Sequence, residues 1–204
     1  GFFHFLIGTA SFQGVALVMI HFFLKAHGAT WRELFGFDQP QWRRAVRLGL
    51  AFGVVVVPMA LLLNKASYEV IKWIQDTEPQ QQLVVTILAK NAQWYQRVCF
   101  GVGAVILAPV VEEILFRGIL YRAVKQLGYP QLALWGSSLI FAAIHSNLLT
   151  FLPLLGLALT FALLYERTDT LLAPIATHAV FNAVNFFLLL YAPKLNQSLG
   201  LFRL

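Results

Sequence analysis

Residues 98–120 read VCFGVGAVILAPVVEEILFRGIL, and only Glu112, Glu113 and Arg117 interrupt the apolar run. A membrane-spanning helix needs about 20 mostly apolar residues, so this stretch is long enough to be one. Placing a carboxylate at bilayer depth costs about 2.5–3.5 kcal/mol on insertion scales. Two in a row therefore leave two readings. Either the charges line a protein-enclosed or wet site, or they sit at the membrane interface with Arg117 snorkelling and both glutamates hydrated.

Working outward, residues 2–24 (FFHFLIGTASFQGVALVMIHFFL) carry no charge at all. They lack a basic leading region and a small-residue cleavage site, which reads as a span and not a signal peptide. Residues 46–63 form a second span with Pro58 as a candidate kink, and 131–145, 149–165 and 171–191 bring the expected number to six. Between them, 64–97 is mixed: its first half is polar, and an interfacial helix is expected around 81–90. The composition agrees, at 59% hydrophobic and 12% charged, with a mean hydropathy of +0.70. Soluble domains run near one quarter charged. The expected fold is all-α: a polytopic transmembrane bundle of about six helices, up to eight. It forms one integral-membrane domain over 1–204, with residues 98–191 as its motif-bearing core, in a prokaryotic inner membrane.

The net charge of +6 does not point to nucleic acid. Lys and Arg are scattered at helix ends, as in residues 25–44 (KAHGATWRELFGFDQPQWRR), and not gathered on one face. That pattern reads as anchoring to the bilayer, and six spans with the N-terminus outside place nine Lys/Arg inside and six outside. The single cysteine, Cys99, excludes an intrachain disulfide and a multi-cysteine metal site, and reads as packing.

Spacing divides the labour among the three charges. Glu113 and Arg117 are four apart with the acid on the N-terminal side, the favourable order for an intrahelical ion pair. Glu112 is turned by about 100° from Glu113 and presents another face. It is the carboxylate free to take a proton, and so the candidate general base, with Glu113 and Arg117 in support. Two further clusters favour chemistry. Residues 141–145 (FAAIH) close an apolar segment with His145, and residues 178–182 (HAVFN) place His178 and Asn182 on one helical face. An imidazole can relay a proton and a carboxamide can donate a hydrogen bond to a developing negative charge. His4, His21 and His27 have no polar partner at helical spacing and read as packing residues.

Depth sets a further expectation. If the third span ends near Gly118, Glu112 lies about 9 Å above that end and His178 about 10 Å above its own. His145 comes out near 21 Å if its helix starts at Gln131. The segment 131–145 is also short, reaching about 22 Å against a hydrocarbon thickness of about 30 Å. Its helix either continues through SNLLTFL toward Pro153 or ends inside the protein.

In order, EEILFR, FAAIH and HAVFN resemble the E-E-x-x-x-R, F-x-x-x-H and H-x-x-x-N/D motifs of the CAAX protease and bacteriocin-processing family. Its best-known branch is the type II CAAX prenyl endopeptidases, which have eight spans. The resemblance implies peptide-bond hydrolysis inside the membrane. It puts the water-activating glutamate on Glu112 with His145 assisting, the oxyanion-stabilising pair on His178 and Asn182, and supporting positions on Glu113 and Arg117. Phe141 is left to packing. The substrate implied is a peptide or protein entering from the membrane or its interface. No cofactor is expected; zinc held by Glu112, His145 and His178 is the lower-ranked alternative, since the H-E-x-x-H signature is absent. A non-catalytic scaffold or immunity-type protein of the same fold is the competing class. A proton-coupled transporter ranks lower, because no inverted repeat with paired broken helices is evident.

Overall fold

The computed structural model describes residues 2–75 and 93–199. The helix expected near 81–90 lies outside the described residues. Within them the chain forms seven helices and no strand: α1 (Phe2–Ala26), α2 (Trp31–Phe35), α3 (Trp42–Gln75), α4 (Trp94–Gln126), α5 (Pro130–Ile144), α6 (Leu148–Thr168) and α7 (Leu172–Leu199). Five of these, α1, α3, α4, α6 and α7, contain stretches long and apolar enough to cross a bilayer, and α5 is a shorter apolar helix. The protein is an integral membrane helical bundle.

The second span is longer than expected. Pro58 does not end it, and residues 64–75 stay helical despite their polarity. The reason is one continuous stripe: Val56, Ala60, Ser67 and Ile71 recur at helical spacing and are all buried. α3 lies along α7 with almost no side chain between them. A Cβ added to Gly49 would run into the Ala173 carbonyl oxygen, and one on Gly53 would meet Val180 Cβ at 2.5 Å. The Thr177 hydroxyl reaches the Gly49 carbonyl at 2.9 Å and its own Ala173 carbonyl at 3.0 Å. In lipid, where burying apolar surface against a neighbour gains little, such close backbone approach is what holds two helices together.

α4 corrects the depth expectation. It does not stop near Gly118 but runs on to Gln126, so Glu112 stands 14 residues, about 21 Å, from that end. His145 stands 15 residues, about 22 Å, beyond Pro130 at the start of α5. Counted from these two helix ends, Glu112 and His145 agree, because Gly118 is mid-helix. α5 ends at Ile144 and does not continue through SNLLTFL. Ser146 takes a left-handed turn (φ 50°). Asn147 then caps α6 by accepting from the Thr150 N–H at 3.1 Å. α4 also departs from α geometry twice, with π-helical turns at Gly103–Leu107 and Ile114–Tyr121 on either side of Ala108–Glu113.

α2 is a short connector between α1 and α3, opened by a capping box in which Thr30 and Glu33 satisfy each other's backbone. It closes on Gly36 (φ 78°), where an added Cβ would sit 2.7 Å from Thr170 Cβ. His21 accepts from the Trp31 indole at 3.3 Å and His27 bonds the Phe23 carbonyl at 2.8 Å, so both serve local packing. The His4 side chain lies outside the described residues.

Candidate active site

α4 delivers the glutamates to the centre of the bundle, facing α5, α6 and α7. Arg117 does not snorkel. Its side chain and that of Glu113 are both fully buried. The Arg117 guanidinium donates from Nη1 to Glu113 Oε1 at 3.0 Å and from Nη2 to the Ala158 carbonyl on α6 at 2.8 Å. It lies over three rings, with centroids 4.9 Å away at Phe141, 5.2 Å at Phe161 and 5.9 Å at Phe116. Of the two readings the sequence left open, the hydrated interfacial one does not describe this arginine.

From α7, His178 closes the network. Its Nδ1 lies 3.0 Å from the same Glu113 Oε1. A carboxylate only accepts, so Nδ1 carries the hydrogen, and Glu113 orients the ring as well as pairing with Arg117. Nε2 is thereby directed toward Glu112, at 3.9 Å from its Oε2. Phe161 stacks on the imidazole, centroids 4.8 Å apart and planes 23° apart, and Phe141 meets it edge-on at 6.0 Å. The same two phenylalanines thus wall both the imidazole and the guanidinium.

Glu112 is different in kind. Its side chain is 23% exposed, and among the described residues it makes no hydrogen bond. Its carboxylate is within electrostatic reach of His178, His145, Glu113 and Arg117. His145, half-buried at the end of α5, packs against Phe141, ring centroids 5.0 Å apart. Its Nδ1 donates to the Phe141 carbonyl at 2.7 Å, so this ring too presents Nε2 as its free nitrogen. A carboxylate with no bond of its own, in range of two imidazoles whose Nδ1 atoms are both committed, is a set suited to moving protons.

Asn182 stands apart. Its Nδ2 donates to the Ala104 carbonyl on α4 at 2.8 Å. The chain therefore brings Glu112, Glu113, Arg117 and His178 into direct contact and sets His145 beside them, while the Asn182 amide is engaged one turn away. Three participants escaped the sequence. Phe161 is one apolar letter in an apolar helix, and the Ala158 and Ala104 carbonyls have no letter at all. Among the described residues no group of three His, Cys, Asp or Glu is set to hold a metal ion.

These observations define a class: an integral membrane helical bundle with a carboxylate–histidine site enclosed by its helices. The comparisons agree with it. Residues 93–184 match the family described as type II CAAX prenyl endopeptidase Rce1-like, the stretch that carries all three motifs. Over 77 residues the chain is 36% identical to the protein named "Putative membrane peptidase YdiL" of Bacillus subtilis (strain 168). That alignment covers 38% of this chain and 32% of that protein. It is 35% identical over 83 residues to "Uncharacterized protein YpbD" of the same organism, covering 39% and 40%. It is 36% identical over 89 residues to "UPF0177 protein YaiF" of Lactococcus lactis subsp. lactis (strain IL1403), covering 42% and 38%. The chain thus spans about a third of the length of the first of these relatives and two fifths of the second. No solved structure matches it.

Proposed function

We propose that this chain carries the catalytic core of an intramembrane endopeptidase that hydrolyses a peptide bond with an activated water. One observation carries the reading: among the described residues Glu112 makes no hydrogen bond, while Glu113, Arg117, His178 and His145 around it each make at least one. A carboxylate kept only for helix packing would be paired, because an unpaired polar group in lipid costs several kcal/mol.

In this reading Glu112, with His145 Nε2 assisting, takes a proton from water, and the hydroxide adds to the scissile carbonyl carbon. The carbonyl oxygen becomes an oxyanion, stabilised by an N–H at His178 Nε2 and by the second amide hydrogen of Asn182. Donation from Nε2 requires the doubly protonated ring. In that state two carboxylates, Glu112 and Glu113, face two cations, Arg117 and His178. Collapse of the intermediate breaks the C–N bond, and the proton held on Glu112 passes to the leaving amine. Glu113 and Arg117 hold His178 in place, and no step requires a metal.

The test is cleavage of a transmembrane peptide library by the purified protein in nanodiscs. Glu112→Gln, His145→Ala and His178→Ala should each lower cleavage by about 10²-fold or more. Full cleavage by folded Glu112→Gln protein would remove the proposal. A loss of thermal stability without any wild-type cleavage would instead favour a scaffold.

A further inference from the structure

The π-turn at Gly103–Leu107 takes from the Ala104 carbonyl the partner it would have in an α-turn. The Ala108 N–H bonds back to Gly103, five residues away, and so passes over Ala104. The next residue able to reach Ala104 is Pro109, which has no N–H. An orphaned carbonyl inside a membrane bundle must be satisfied from outside the helix. The Asn182 amide does this at 2.8 Å, from α7.

The turn matters because of what lies on either side. A π-turn holds one more residue than an α-turn, so it offsets everything after it by about 100°. Upstream, α4 is anchored by the buried Phe100 and by Gly101, whose added Cβ would meet Phe186 at 3.2 Å. Downstream, the Glu113–Arg117–His178 network is anchored as firmly. Without the offset, Glu112 would turn into the enclosed place that Glu113 now holds and Val111 would face the open side of the site.

We propose that Asn182 is the positioning residue for Glu112: by taking the Ala104 carbonyl it holds the wide turn that presents Glu112 to the site and keeps Glu113 enclosed. This deepens the proposed function, assigning Asn182 a role through the helix beyond direct contact with an oxyanion. The test does not depend on proteolysis.

Single cysteines are introduced by Glu112→Cys and Val111→Cys in a Cys99→Ser background, since Cys99 is exposed. Each is labelled with a water-soluble methanethiosulfonate in nanodiscs. With Asn182 present, the thiol at position 112 should react and that at 111 should be protected, following exposures of 23% for the Glu112 side chain and 0% for Val111. Asn182→Leu keeps the side-chain bulk in a lipid-compatible form and removes the donor. It should shrink the labelling contrast at least fivefold. Adding Pro109→Ala supplies a backbone N–H within reach of the Ala104 carbonyl and should restore the contrast.

An unchanged contrast in folded Asn182→Leu protein overturns the proposal, as does a lost contrast that Pro109→Ala fails to restore. Where Asn182→Leu does not fold, Asn182→Gln keeps the donor on a longer arm and the same contrast decides: it should fall, and recover with Pro109→Ala. A labelling change in a protein that cleaves no peptide would sink the endopeptidase reading and leave this one standing. Lost cleavage with unchanged labelling would place Asn182 at the reacting atoms and sink this one alone.

Discussion

Replacing Arg117 by methionine tests the physical account of the buried network most directly. Arg117→Met keeps an unbranched chain among Phe116, Phe141 and Phe161. It removes two hydrogen bonds and leaves Glu113, fully buried, with only His178 as partner. Removing one member of a buried ion pair typically costs about 3–5 kcal/mol, because the remaining charge is uncompensated. Glu113→Leu alone should cost about the same, by stranding the guanidinium. The network is also imperfectly satisfied: Glu113 Oε2 and Arg117 Nε have no hydrogen-bond partner among the described residues. Removing both charges together should therefore recover most of the loss. What remains is the stranded Nδ1–H of His178, about 1–3 kcal/mol. Additive single effects would total about 6–10 kcal/mol, so the coupling should be about 3 kcal/mol or more.

Unfolding free energies measured in mixed micelles by denaturing-detergent titration, followed by circular dichroism, give all four corners of the cycle. Two results would refute the reasoning: a cost below about 1 kcal/mol for Arg117→Met, or a double variant as unstable as the sum of the singles. Cleavage should not follow stability. The double variant folds but has lost the carboxylate that directs the His178 ring, so activity should stay low where stability returns.

Phe161→Leu preserves apolar bulk but removes the ring stacked on His178 and Arg117; it should cost about 1–2 kcal/mol by the same titration and lower cleavage several-fold. Gly49→Val drives a side chain into the Ala173 carbonyl and should separate α3 from α7, seen as lost thermal stability and slower electrophoretic migration of a destabilised form. Cleavage should be insensitive to chelators, with less than one equivalent of zinc by elemental analysis; inhibition reversed by added zinc would reinstate the ligand set Glu112, His145 and His178. Glu33 is held below the ordinary carboxylate range first by the Thr30 backbone N–H and then by the Thr30 hydroxyl. Its folded-state value is thus lower than its unfolded one, so its contribution is complete above the unfolded value and disappears as pH falls through the lower folded value. Trp31 emission should report α2 fraying in that acid window, and Glu33→Gln should abolish the pH dependence.

How much of this was legible follows from what a one-letter code can encode. The membrane class was legible because apolar length is additive along the chain, and five of the expected spans correspond to long apolar helices. The pairing of Glu113 with Arg117 was legible because an i, i+4 contact is a property of one helix. The position of His145 was not. Gly118 after a charged residue reads as a helix end, yet α4 continues through Arg122 and Lys125, whose Nζ bonds Glu166 Oε1 across to α6 at 2.6 Å. That inter-helix tie exists only in the folded bundle. The least legible feature is also the one with most leverage on the site. A π-turn has no residue pattern of its own, and the only trace of this one was Pro109, three positions before Glu112, read simply as part of an apolar run. Once the carbonyl that Pro109 cannot satisfy is counted, Asn182 acquires a partner that no side-chain inventory could supply. The division between an exposed Glu112 and an enclosed Glu113 then follows from backbone accounting as much as from the 100° between neighbours.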